Sequence, residues 1–368
     1  MTIVKENVRS LEDVFDPRLN ALNVIRLVLA AGVLLRHSFT MLGTSSGIYP
    51  LERIMTSGFV DGFFAISGYL IVRSWLRRPD WRAYLRARFF RILPAFWVCL
   101  LVTALLLSPI RAVLTGHPLT GEFWVDSFGY IWRNWFLWIF QEGIDGTPTG
   151  AASAEMGVWN GSLWTLAWEF FCYIGVMVLG LLGVMHRKSV VVGLFVLALA
   201  TLIILKPMFP ELYLLHHAAR FATMFLAGAL IYLYQSRVPA APQLVAVAAV
   251  IVFVSGWLPD YRLVAALPLA YLCIVGGALL KVPALRLEND ISYGTYIYGF
   301  PIQQMLIGMG LLGVGVPAFF ALSVLAVLPF AIASWFAVER PAQRLRNRVR
   351  LPWSRRTPLP TASSPTRG

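Results

Sequence analysis

The chain has 368 residues, of which 58% are hydrophobic, 14% aromatic and 13% charged, with a mean hydropathy of +0.70. No soluble globular domain of this length carries that balance, so the composition excludes a soluble enzyme and specifies an all-α, polytopic integral membrane protein. The net charge of +13 comes with no nucleic-acid motif, and its distribution along the chain assigns it to membrane topology.

Residues 1–19 mix charges of both signs and lead straight into a full-length apolar run, the pattern of a cytoplasmic N-terminal segment that is not a cleaved signal peptide. About ten transmembrane helices are predicted from apolar stretches near 20 residues, at 21–42, 55–76, 89–108, 162–185, 190–205, 217–234, 244–258, 263–280, 291–312 and 316–338. The fifth and seventh are the shortest. With the N-terminus inside, the inner segments hold 23 of the 31 Lys and Arg, and the outer segments hold five: Arg53, Arg111, Arg133, Lys206 and Arg262. That asymmetry places both termini in the cytoplasm, and the basic inner segments suit an anionic inner leaflet. One transmembrane domain thus covers 20–338.

Its longest connection, 109–161, lies outside and carries Trp124, Trp132, Trp135, Trp138 and Trp159. Its apolar middle is too short to span, so an interfacial or re-entrant segment is expected. The tryptophans read either as an aromatic belt at headgroup level or as a stacking surface for an acceptor. The tail, 339–368, is basic and rich in Pro, Ser and Thr, hence expected to be disordered.

The first span is unusual because it carries Arg26, Arg36 and His37. Placing such a residue in hydrocarbon costs about 2.5–3.5 kcal/mol even on the lenient insertion scale, which makes it a functional candidate. Arg26 and His37 are eleven residues apart, so they return to within about 20° of one face while standing about 16 Å apart along the axis. They can contact the two ends of one long ligand. Arg36 points about 100° away and snorkels. Of the five histidines, His37 alone lies well inside the membrane, and imidazole near neutrality is the natural general base. Glu169, in SLWTLAWEFFCY, and Gln303, in ISYGTYIYGFPIQQ, reach a similar depth and are expected to share one chamber with His37.

At the inner mouth of the third span, YLRARFFRILP places Arg88 and Arg91 level with Arg26. Guanidinium binds phosphate through paired hydrogen bonds, so the three form a candidate phosphate cradle. Positive-inside anchoring alone accounts for Arg77, Arg78, Arg82 and Arg86. In DGFFAISGYLI, Gly62 and Gly68 allow close helix packing, Asp61 stands at the outer end, and Ser67 is a candidate oxyanion donor. The three cysteines fall in apolar spans and argue against a disulfide framework. No metal-ligand spacing, G-x-S-x-G elbow, H-E-x-x-H or P-loop is present.

These residues resemble the membrane acyltransferase family 3 of bacteria. The likeness rests on Arg26-x10-His37, DGFFAISGYL, RARFFRILPAFW, SLWTLAWEFFCY, RFATMFLAGALIYL, ISYGTYIYGFPIQQ and the closing Glu339-Arg340-Pro341. It implies a multi-pass inner-membrane enzyme with no permanently bound cofactor. An acyl-CoA donor, usually acetyl-CoA, would sit on the cytoplasmic side, and a carbohydrate hydroxyl would be reached from outside. Arg26, Arg88, Arg91 and Tyr296 are then assigned to the donor, and Asp61, Ser67, Trp164 and Gln303 to the acceptor. His37 serves as base, with Arg26 essential and Glu169 orienting the imidazole or the acceptor; a covalent intermediate at His37 is the variant mechanism. Many relatives carry a histidine in a YLxHxP version of the ninth-span motif, where this chain has Gly299, so Gln303 or Gln304 would have to fill its role. No esterase-like domain is fused, so the chain works alone or with a separate polysaccharide-assembly protein. The competing class is a transporter of a lipid-linked sugar or polysaccharide, disfavoured because the charged first span has no counterpart in the second half.

Overall fold

The computed structural model describes residues 9–150 and 157–348, and every regular element among them is a helix. In chain order these are α1 (Leu22–Met41), α2 (Tyr49–Arg77), α3 (Trp81–Leu114), α4 (Gly121–Arg133), α5 (Thr165–Leu181), α6 (Lys188–Leu205), α7 (Tyr213–Leu233), α8 (Pro242–Ser255), α9 (Arg262–Leu279), α10 (Ser292–Gly308) and α11 (Val316–Ser334). By length and apolarity seven of them qualify as membrane crossings: α1, α2, α3, α6, α7, α9 and α11. The other three predicted stretches are helical but shorter, at 17 residues for α5, 14 for α8 and 17 for α10. The chain is thus an all-α, polytopic membrane protein.

Local chemistry sets the helix ends. Asp80 caps α3 by accepting from the backbone N–H of Arg82 and Ala83, both at 3.1 Å. Pro94 lies inside α3, and a widened turn at Thr103–Leu107 lets the helix run on to Leu114. α1 has no side-chain cap; the Ala21 N–H at its start donates instead to Gly277 O of α9 at 2.9 Å. Gly310 and Gly315, at φ +86° and +74°, make the tight return from α10 to α11.

α2 is the central element, and its closest partner is α7. A Cβ at Gly68 would lie 1.9 Å from the Phe225 carbonyl oxygen, and one at Gly228 would lie 1.8 Å from that of Ala65. Two glycines therefore press backbone against backbone, the device by which membrane helices gain contact without a hydrophobic driving force.

The outer connection contains α4, which buries Phe123 and Tyr130 and exposes Val125, Phe128 and Trp132, as an interfacial helix does. The tryptophans do not form one stacking wall: Trp159 is fully buried, Trp135 stacks on Trp97 at 4.7 Å, and Trp132 is exposed.

Both ends of the chain depart from expectation. In the N-terminal segment Leu11–Val14 forms a helical turn, with the Leu11 N–H on Val238 O at 2.8 Å. At the other end, helix continues from α11 through Trp335–Glu339 and Arg340–Arg348, where a disordered tail was expected from 339. The cause is Glu339, buried and accepting from Ser334 Oγ at 3.0 Å. The remainder of the expected tail lies outside the described residues.

Candidate active site

Between α1, α2, α3, α5 and α10 lies a cavity of about 230 Å³ on the basic-rich side. Arg26, Arg88 and Arg91 line it, together with Gln343 and Arg346 from the stretch expected to be disordered. Its deep end is formed by Ser67, Glu169 and Tyr173.

The arginines are not free cations. Asp290, in the loop ahead of α10, accepts from both Arg26 Nη1 and Arg91 Nη2, the latter at 2.5 Å, and Arg91 also faces Glu339 at 3.9 Å. Ser292 holds the other oxygen of Asp290 through its hydroxyl, at 2.5 Å, and its backbone N–H, at 3.3 Å. Burial pushes the Asp290 carboxyl upward, but Arg26 and Arg91 outweigh it and hold the group well below the usual carboxylate range. Arg88 instead lies over the rings of Tyr84 and Tyr173, at 5.6 and 5.7 Å. Sequence reasoning found the three arginines and missed Asp290, Tyr173 and Tyr293. The signal for Asp290 was an acid at the inner end of a span, against the basic bias of that side.

Counted at about 1.5 Å per residue from the inner ends of their helices, Arg26 stands about 6 Å in, Ser67 about 15 Å, Glu169 about 18 Å and His37 about 22 Å. Glu169 thus sits between the arginines and the histidine. Its Oε1 accepts from Ser67 Oγ at 2.7 Å and from the Tyr173 hydroxyl at 2.5 Å. The expected chamber shared by His37, Glu169 and Gln303 is not formed, since Glu169 lines the inner cavity and neither His37 nor Gln303 does. The hydroxyl of Ser67, expected to serve an oxyanion, is given to Glu169.

His37 is half-buried, with its ring edge-on to Phe300 at 4.8 Å between centroids. Gly161 makes room for Phe300, whose ring would lie 2.6 Å from a Cβ there. Gln303, fully buried one turn beyond Phe300, donates through Nε2 to Leu34 O at 3.0 Å and Ser38 Oγ at 2.9 Å, with Ser323 Oγ at 3.2 Å. It joins α1, α10 and α11 and is not presented to an acceptor. Leu34 also fills the space beside Gly299: its Cδ1 would lie 2.4 Å from a Cβ at that position. The histidine that relatives place there is therefore replaced by a leucine from α1, and Gln303 does not stand in for it.

Three further assignments are corrected. Tyr296 is buried with its hydroxyl on Thr165 Oγ1 (2.6 Å) and Ser162 O (3.0 Å), so it ties α10 to the start of α5 and does not line the donor cavity. Asp61 is fully buried and accepts from Arg220 Nε at 3.2 Å, Arg262 Nε at 2.6 Å and the Tyr261 hydroxyl, which exhausts it within a network among α2, α7 and α9. Trp164 packs edge-on against His217 at 5.0 Å and tilted against Phe221 at 5.6 Å, inside an aromatic cluster between α5 and α7. Among the described residues no group of three His, Cys, Asp or Glu side chains is placed to hold a metal ion.

This arrangement suits a long phosphorylated ligand that enters from the basic side and extends past Glu169. Comparison with known proteins points the same way. Residues 19–336 match the family model described as an acyltransferase domain, that of the acyltransferase 3 family. The chain is 28% identical over 337 residues to a protein of Shigella phage Sf6 named O-acetyl transferase, covering 87% of this chain and 95% of that one. It is 25% identical over 357 residues to Nodulation protein 10 of Rhizobium leguminosarum bv. viciae, covering 89% and 94%. No solved structure matches it. With most of its length inside one family model and its helices built for a bilayer, the chain belongs to the acyltransferase 3 family and is a multi-pass membrane O-acyltransferase.

Proposed function

We propose that the protein moves an acyl group, acetyl by preference, from cytoplasmic acyl-CoA to a carbohydrate hydroxyl on the outer face of a bacterial inner membrane. The observation that carries this reading is the polar cavity with arginines at its mouth and the Ser67–Glu169–Tyr173 cluster at its deep end. A diphosphate at Arg26, Arg88 and Arg91 leaves a pantetheine arm to run upward along α1, and Glu169 stands on that path as an acceptor for the arm's amide N–H groups. The thioester then lies near His37. His37 takes the proton of the acceptor hydroxyl as its oxygen attacks the thioester carbonyl; the tetrahedral oxyanion collapses, and the departing thiolate recovers the proton. The relative named O-acetyl transferase supports acetyl as the group and oxygen as its destination. Asp290, Glu339 and Ser292 act as positioning residues that fix Arg26 and Arg91.

The test is transfer from labelled acetyl-CoA in membranes containing the protein and extracted surface glycan. His37→Ala is expected to abolish transfer at normal expression, and Arg91→Ala to raise KM for acetyl-CoA. Near-normal transfer by His37→Ala refutes the base, and an unchanged KM removes Arg91 from the donor site.

A further inference from the structure

A second polar pocket, of about 420 Å³, adjoins the first on the basic-rich side. Its walls are the segment around Phe15 and Arg18, the start of α1 at Asn23, the inner end of α2 at Arg73, and the loop at Arg286 and Glu288. Leu70 lines both pockets, and Asn23 and Arg26, three residues apart on α1, contribute one to each. Neither pocket belongs to a lipid-facing groove.

The charges of this pocket are uncompensated. Arg18, Arg73 and Arg286 make no ion pair among the described residues, against the single carboxylate of Glu288. Arg73 is half-buried, and its guanidinium is held over the Phe15 ring at 4.9 Å, which fixes its plane. The wall itself is anchored. Asn23 Nδ2 donates to Leu287 O at 2.8 Å, and the Asn20 side chain ties Asp16 O (2.8 Å) to the Leu22 N–H (3.1 Å). Positive-inside anchoring needs basic residues on this side of the membrane, but it does not need three of them unpaired around one concavity.

We infer that this second pocket is the nucleotide seat of the donor, in which Arg18, Arg73 and Arg286 bind a phosphate monoester on the ribose of an adenosine nucleotide while the diphosphate crosses Leu70 to Arg26, Arg88 and Arg91. The inference rests on the acyl-CoA reading above. A phosphate monoester is the ligand that matches the excess charge, and paired guanidinium donors recognise it better than a single ammonium does. With the nucleotide outside the first pocket, the whole of that pocket and the length of α1 beyond it remain for the arm.

The experiment compares two donors in nanodiscs of zwitterionic lipid, which removes anionic headgroups as an alternative source of phosphate. One donor is acetyl-CoA; the other is acetyl-4′-phosphopantetheine, which lacks the nucleotide. The Arg18→Ala/Arg286→Ala double variant alters exposed side chains and leaves the helical core alone. It is expected to raise KM for acetyl-CoA about tenfold, the size of one lost charged contact, and to leave KM for the short donor unchanged. Adenosine 3′,5′-bisphosphate is expected to compete with acetyl-CoA on the parent protein and about tenfold more weakly on the variant. Equal rises for both donors, or no rise for either, overturn the nucleotide seat. If acetyl-CoA supports transfer and Arg91→Ala raises its KM while the double variant does not, the seat alone falls. If acetyl-CoA supports no transfer in the parent protein, the donor reading falls and the seat with it.

Discussion

Asp290→Asn removes the charge shared by Arg26 and Arg91 while keeping the size of the side chain and its contacts to Ser292. Truncating one member of a buried ion pair costs about 3–5 kcal/mol, because the partner is left charged and uncompensated. Both arginine side chains retain 19% exposure and face an open cavity, so water relieves part of that penalty, and a loss of about 2–3 kcal/mol is expected. The assay is equilibrium unfolding in mixed micelles for Asp290→Asn, Arg91→Leu and the double variant. A coupling of about 1–3 kcal/mol is expected between the two sites. Coupling below about 0.5 kcal/mol would refute the claim that the bridge organises the arginines. The pH dependence follows from the same geometry. The folded Asp290 carboxyl titrates below its unfolded value near 3.9, so its contribution is present in full above that value and is lost as the pH falls through the folded one. Acidification from pH 7 to pH 5 is therefore expected to leave the bridge intact, and a bridge-dependent loss of stability in that window contradicts the assignment.

Gly68→Ala sets a methyl 1.9 Å from the Phe225 carbonyl oxygen, which only separation of α2 and α7 can relieve. A loss of about 3 kcal/mol or more is expected, read as a collapse in the yield of monodisperse protein. Gly299→His, which restores the histidine of the relatives, is expected to fail for a different reason, its collision with Leu34; because Leu34 is a flexible side chain, pairing it with Leu34→Ala is expected to recover the yield. Equal yields from the single and the paired variant would show that Leu34 is not what occupies that space.

The fold was legible because bilayer length, apolar runs and basic loops act locally and add up along the chain. Helices that fall short of a bilayer, such as α5 and α10, were extended in the reading because apolar residues continue past their ends as loop and interface. The site was legible only in part. Arg26, Arg88 and Arg91 announced themselves as charges at a membrane boundary, but their partner Asp290 is 199 residues from Arg91, and no periodicity links the two. Asp61 and Tyr296 looked functional for the same reason that Arg26 did, since a polar group in an apolar span demands a partner. The structure shows that their partners are internal: Arg220 and Arg262 for Asp61, Thr165 and Ser162 for Tyr296. Depth misplaced Glu169, because axial position says nothing of the direction a side chain takes, and it turns toward Ser67 and Tyr173.

That placement changes what α1 can be asked to do. With Arg26 about 6 Å, Glu169 about 18 Å and His37 about 22 Å from the inner side, binding and proton transfer are separated along one axis, and the carboxylate belongs with the arm of the donor. A donor reduced to the distal end of that arm, the N-acetylcysteamine thioester, makes the separation measurable, since it carries no phosphate for the arginines. Arg91→Ala is expected to lower kcat/KM for acetyl-CoA about tenfold, the loss of one charged contact, while leaving kcat/KM for the short thioester within about twofold of the parent. His37→Ala is expected to abolish transfer from both, because the proton is taken from the acceptor whatever the donor. Should Arg91→Ala depress both donors equally, Arg91 would act on the reacting end or on the fold as a whole, and the division of α1 into a binding end and a chemical end would fail.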